Sequence, residues 1–156
     1  MANFDAQIQA LQARLLEIYA PALVETVVEW CEANLVLAGE VNAHGPVRFR
    51  DFAYMLSFLE AWRDEGLTDL ALMAGAQSSK SSAASFGLAW LIEHEPRDAI
   101  WVGSALPEVR SYSENRWQAM VNASPAMAAL KPADSDKFKN LEQVFPNCIL
   151  NFAGSH

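Results

Sequence analysis

Apolar residues recur along this chain at two different periods. Phe4, Ile8, Leu11, Leu15 and Ile18 are spaced by alternating steps of four and three, which lines one face of a helix. Pro21 ends that helix and is well placed to open the next. There Val24, Val27, Val28, Cys31 and Leu35 share a face, and Gly39 supplies a stop. The first stripe also fits a coiled-coil seam, but it is too short for that to displace packing within the fold. NAHGPVRF reads as a loop. From Asp51 to about Glu65 a third helix carries Phe52, Met55, Leu56, Leu59 and Trp62 on one side, and Gly66 breaks it.

Beyond Gly66 the period shortens. LALM (70–73) is a short apolar strand candidate, followed by a small-residue loop and a helix from about Ser81 to His94. AIWVGSA (99–105) reads as a second, buried strand, being short, apolar, β-branched and aromatic. Pro107 opens a helix to about Asn122, and Ser124-Pro125 starts a short one reaching Leu130. NLEQVF and CILNF flank Pro146-Asn147 as a hairpin. Strand, helix, strand, helix and further strands predict an α/β fold whose sheet is joined by right-handed crossovers.

Composition narrows the functional classes. A length of 156 residues suits one domain, and 52% hydrophobic against 19% charged residues is a globular balance. No apolar run approaches the roughly 18 residues of a membrane span. MANFDAQIQA has neither the basic nor the apolar region of a secretory signal. Cys31 and Cys148 form no C-x-x-C pair and read as buried free thiols of a reducing compartment. The net charge of −8 argues against tight DNA binding by this chain alone.

The stretch LALMAGAQSSKSSAASFGLAWLI carries the sharpest chemistry. A phosphate-binding loop needs a strand that aims the chain and small residues whose backbone N–H groups curl around the anion. A helix N-terminus must then face it. A lysine reaches the phosphates, and the following hydroxyl holds Mg²⁺. Gly75, Ala76, Gln77, Ser78, Ser79, Lys80 and Ser81 stand in that order. The letters depart from G-x-x-x-x-G-K-[ST], with Ala74 and Ser79 at the two glycine positions. If position 79 must be left-handed, serine there costs roughly 1–2 kcal/mol.

Together with its flanks this segment resembles the N-terminal ATPase region of phage terminase large subunits of the lambda-type, or GpA-like, group. These are motors that package viral DNA. The resemblance runs from about Glu29 to the end. It rests on FRDFAYMLSFLEAW before the loop, on the loop AGAQSSKS and on LAWLIEHEPRDAIWVGSA. NRWQAMVNASPAMAAL and the hairpin ending in NFAGS complete it. It implies an incomplete P-loop NTPase-like sheet over residues 41–156 behind an N-terminal helical arm over 1–40. It further implies ATP and Mg²⁺ as cofactors. Lys80 would neutralise phosphate charge, Ser81 would ligate Mg²⁺, and the N–H groups of Gln77, Ser78 and Ser79 would line the loop. Phe52 or Tyr54 stands where an aromatic contact to adenine would be made, although packing within its helix explains either residue more simply. The small terminase subunit is the implied partner of the arm. DNA and further copies of the chain are implied only in the assembled motor, in the host cytoplasm.

Hydrolysis needs an acidic pair at the end of a later strand. No apolar run after Lys80 ends in Asp-Glu, and Asp134 and Asp136 lie in a polar loop. The sequence therefore assigns no catalytic residue, and the expectation is nucleotide binding without a complete catalytic set. His44, His94 and His156 are too scattered for a metal centre. Arg110 and Arg116 could approach phosphate or DNA in an assembled ring, but solvated helix residues are the default reading. Two rivals stand beside this reading. A small P-loop enzyme such as a nucleotide kinase would need an acidic strand end and an arginine-bearing lid, and neither is present. A non-catalytic α/β module or remnant would bind no nucleotide at all.

Overall fold

The computed structural model describes residues 25–41, 44–51, 53–64 and 66–155. The stripe from Phe4 to Ile18, and Phe52, lie outside the described residues. Helix α1 (Val27–Asn34) starts at a complete capping box, in which Thr26 accepts from the Glu29 N–H and Glu29 accepts from the Thr26 N–H. It ends before Leu35, earlier than Gly39, because the chain turns at once into β1 (Val36–Leu37). That strand pairs antiparallel with β2 (Gly45–Pro46). Val27, Trp30, Cys31 and Leu35 are buried in the common core. The described end of the expected arm is therefore integral with the rest of the fold.

The expected long helix at 51–65 is α-helical only over α2 (Leu56–Glu60), with 3-10 turns at Ala53–Met55 and Ala61–Arg63. Met55 and Leu59 remain one turn apart and buried. Helix α3 (Lys80–His94) begins where expected. It is followed by β3 (Ala99–Gly103), α4 (Leu106–Tyr112), a π-helical turn (Ser113–Trp117), α5 (Gln118–Ala123) and α6 (Pro125–Ala129). The hairpin is β4 (Glu142–Phe145) and β5 (Cys148–Gly154).

The sheet has the order β3-β5-β4, with β3 parallel and β4 antiparallel to the central strand. Trp101, Leu150, Phe152, Gln143 and Phe145 point to one face, and the α4–α5 helical run packs there: Trp101 stacks on Tyr112 at 4.7 Å. The other face carries Ile100, 64% exposed, and Val102, 58% exposed, where a strand buried on both sides was expected. The described helices cover only one side of the sheet, so β3 alternates instead.

LALM does not form a strand. Residues 70–73 are irregular, Met73 is fully exposed, and only Leu72 packs on the core. An apolar run becomes a strand only when a neighbour pairs its backbone groups. Among the described residues none does.

The π turn has a cause in the sequence. Val109, Ser113 and Trp117 are all buried and each four residues apart. In an α-helix each such step overshoots a full turn by about 40°. The wider turn takes up that excess and keeps the three on the sheet side. There the Trp117 Nε1–H donates to Gln143 Oε1 at 2.7 Å, and Gln143 Nε2 donates to Ser113 Oγ at 3.3 Å.

Candidate functional site

The loop before α3 is held in a conformation its residues do not favour. Gln77 has φ 55° and Ser79 has φ 57°, the two non-glycine residues with positive φ among those described. Left-handed angles cost a side-chain-bearing residue roughly 1–2 kcal/mol. Ser79 therefore adopts, with a side chain, the left-handed geometry that glycine reaches freely. Alternating left- and right-handed residues turn successive N–H groups toward one concavity, which is how a backbone anion nest is made.

Several contacts fix the loop. Ser78 Oγ donates to the Gly75 carbonyl at 2.6 Å, and the Tyr54 hydroxyl donates to the Ser78 carbonyl at 3.1 Å. The Lys80 ammonium folds back across the loop, donating to the Ala74 carbonyl at 3.0 Å and also to that of Gly75. A cation parked on two carbonyls can exchange them for a stronger anionic acceptor. Ser79 makes no side-chain cap, so the N–H groups of the first turn of α3 keep their partial positive charge available.

Ser81 is exposed. Its carbonyl accepts from Ser85 Oγ at 2.9 Å and from the Tyr112 hydroxyl at 3.1 Å, which ties the first turn of α3 to the end of α4. Burial pushes the Tyr112 hydroxyl up to about 12, against a smaller opposing pull from the Ser85 hydrogen bond and the Arg116 charge.

Beside the loop lies a cavity of about 300 Å³. Val47, Phe49, Met55 and Phe86 give it apolar walls, and Gln77 and Ser79 close one side. Phe49 and Phe86 meet edge to face at 5.6 Å. Arg48 and Arg116 also border it, together with Glu40. Its size is at the lower end of the range for small-molecule pockets, and half of its lining residues are polar or charged: Glu40, Arg48, Gln77, Ser79, Ser82 and Arg116.

All seven loop residues singled out by sequence, 75–81, thus lie in one turn at the start of α3. Tyr54 touches the loop backbone and does not line the cavity. Sequence reasoning missed the cavity, Arg48 and Phe49; Arg116 is exposed, as expected, and borders the cavity. Only the four-residue spacing of Val109, Ser113 and Trp117 could have hinted at the unusual turn that carries Arg116. Neither β3 nor β5 ends in a carboxylate: the first runs into Gly103-Ser104 and the second into Gly154-Ser155.

The family model described as phage terminase large subunit gpA, ATPase domain, matches residues 42–156. No curated protein and no solved structure matches the chain.

Proposed function

The chain belongs to the phage terminase large subunit gpA ATPase-domain family, and on that premise we propose that residues 75–81 hold the phosphates of MgATP. The family is that of a DNA-packaging motor's ATPase portion, and an α/β fold agrees with it. In this reading Gly75 and Ala76 leave room for the anion. The N–H groups of Gln77, Ser78 and Ser79 line the nest, and Lys80 exchanges the Ala74 and Gly75 carbonyls for phosphate oxygens. The exposed Ser81 hydroxyl would hold the Mg²⁺ that accompanies the nucleotide, which would supply charge neutralisation for the phosphates. The cavity walled by Phe49, Met55 and Phe86 takes the nucleoside.

The observation that carries this reading is the pair of left-handed residues, Gln77 and Ser79, directly before Lys80. Two strained positions on an exposed loop gain nothing from core packing, and such strain is retained where it shapes a site. Turnover by this chain alone is not part of the proposal, because neither β3 nor β5 ends in a carboxylate. The stripe Phe4 to Ile18 is proposed as the contact to the small terminase subunit. Replacing Leu11 and Leu15 by Asp should abolish co-purification with that subunit, and undiminished recovery would contradict it.

Calorimetric titration tests the nucleotide site. The chain should bind MgATP, and Lys80→Ala should weaken binding at least about tenfold, worth about 1.4 kcal/mol, with an unchanged circular dichroism spectrum. Absence of binding by the unaltered chain would favour the α/β module that holds no nucleotide.

A further inference from the structure

Arg116 occupies a position that the packing of its helix does not explain. Its neighbours in the π turn face the sheet: Ser113 and Trp117 are fully buried and hydrogen-bonded through Gln143. The turn also frees the Asn115 carbonyl, which accepts the Glu40 N–H at 2.9 Å and so docks residues 38–41 beside it. Arg116 is thereby set where the wall formed by residues 38–41 meets the loop. It borders the large cavity with Gln77, Ser79 and Ser82, and a second, smaller one with Ser85 and Tyr112. π turns cost stability relative to continuous α-helix and concentrate at functional sites.

The charge around the cavity is equally specific. Arg48, the other arginine there, has its Nη1 committed to the carbonyls of Glu32 at 2.9 Å and Val47 at 2.8 Å. Among the described residues Arg116 makes no hydrogen bond or ion pair, and its charge acts on the nearby Tyr112 hydroxyl. The chain holds only 11 lysines and arginines against 19 acidic residues. A guanidinium without a hydrogen bond or ion pair that borders a cavity on such a chain is therefore a marked local exception. Glu40 borders the same cavity. Its carboxylate repels an anion, which confines phosphate to the end formed by the loop and suits Glu40 to accept from a ribose hydroxyl.

We propose that Arg116 is a second phosphate-binding cation of this site, contacting the polyphosphate from the cavity side while Lys80 contacts it from within the loop. The proposal rests on the nucleotide reading of the loop. It extends that reading by assigning the α4–α5 run a direct part in ligand binding. A guanidinium fork matches two phosphate oxygens at once, which an ammonium cannot do.

Isothermal titrations with MgATP and with magnesium tripolyphosphate, which carries no base, separate the possibilities. In the intact chain both should bind. Arg116→Ala should weaken both by at least about tenfold, and Arg116→Lys should recover part of the loss, with melting temperatures unchanged because the side chain is exposed. Equal binding by Arg116→Ala and the unaltered chain would overturn the role of Arg116 and leave the loop reading intact. A loss for MgATP alone would assign Arg116 to the nucleoside and overturn phosphate contact. Binding of neither ligand by the unaltered chain would overturn the loop reading itself, and this proposal with it.

Discussion

Ser79 and Gly39 show how single backbone positions set this site. Ser79 bears a side chain in left-handed geometry, so Ser79→Gly should stabilise the fold by roughly 1 kcal/mol. A lowered melting temperature would contradict the strained geometry. At Gly39, φ is +80° and an added Cβ would lie 2.0 Å from the Asn115 carbonyl oxygen and 2.6 Å from the Ala119 Cβ. Both contacts are with rigid parts of the π turn and α5. Gly39→Ala should therefore cost on the order of 2–3 kcal/mol in chemical denaturation, and a neutral result would refute the docking of 38–41. Tyr112 supplies a pH dependence of definite sign. Its hydroxyl is raised from 10.0 to about 12 by burial, so the folded chain holds that proton more firmly than the unfolded chain. Stability from this group is complete below pH 10 and is lost as pH rises from 10 to 12, on the order of 2–3 kcal/mol in all. Tyr112→Phe should flatten that alkaline decline in denaturation midpoints measured across the interval.

At the scale of elements, legibility followed local periodicity. The helix 80–94, the strand 99–103 and the hairpin around Pro146-Asn147 are written in spacing and turn residues, and all three formed. The failures came where the outcome depends on distant partners. LALM has a strand's composition but no pairing neighbour among the described residues. AIWVG was expected to be buried on both sides, yet the described helices pack on one face only. The π turn is invisible to a helical template because its five residues differ from α-helix in width alone. Of the expected strand, loop and helix, the helix formed and the strand did not, and in the loop between them Ser79 reaches by strain the backbone angles that glycine reaches freely. Ser124 stands at the N-cap of α6 but makes no side-chain cap. Instead its Oγ accepts the Val36 N–H at 2.9 Å, across 88 residues of sequence. One element-level prediction follows from the buried network. Trp117→Phe leaves Gln143 Oε1 without its donor and should cost about 1–3 kcal/mol, with Gln143→Leu in the same background recovering part of it in a double-mutant cycle.

The whole molecule presents two contrasting surfaces. Its net charge of −8 works against phosphate-backbone contacts by this chain alone. The open sheet face, with Ile100 and Val102 on β3 and Ile149 on β5, is apolar and uncovered among the described residues. Such a face promotes self-association. Replacing Ile100 and Val102 by Thr should therefore reduce dye binding and concentration-dependent aggregation without lowering the melting temperature, and unaltered aggregation would show that another surface is responsible.

Residues 75–81 curl before α3, and the phosphate site is proposed there. The most direct test is the amide spectrum of the isotopically labelled chain during titration with MgATP. The largest shifts should fall on the N–H groups of Gln77 through Ser81, and Lys80→Ala should abolish them at the same concentrations. A spectrum that does not move, or one whose changes lie elsewhere in the fold while these amides stay fixed, would contradict a phosphate site in this loop.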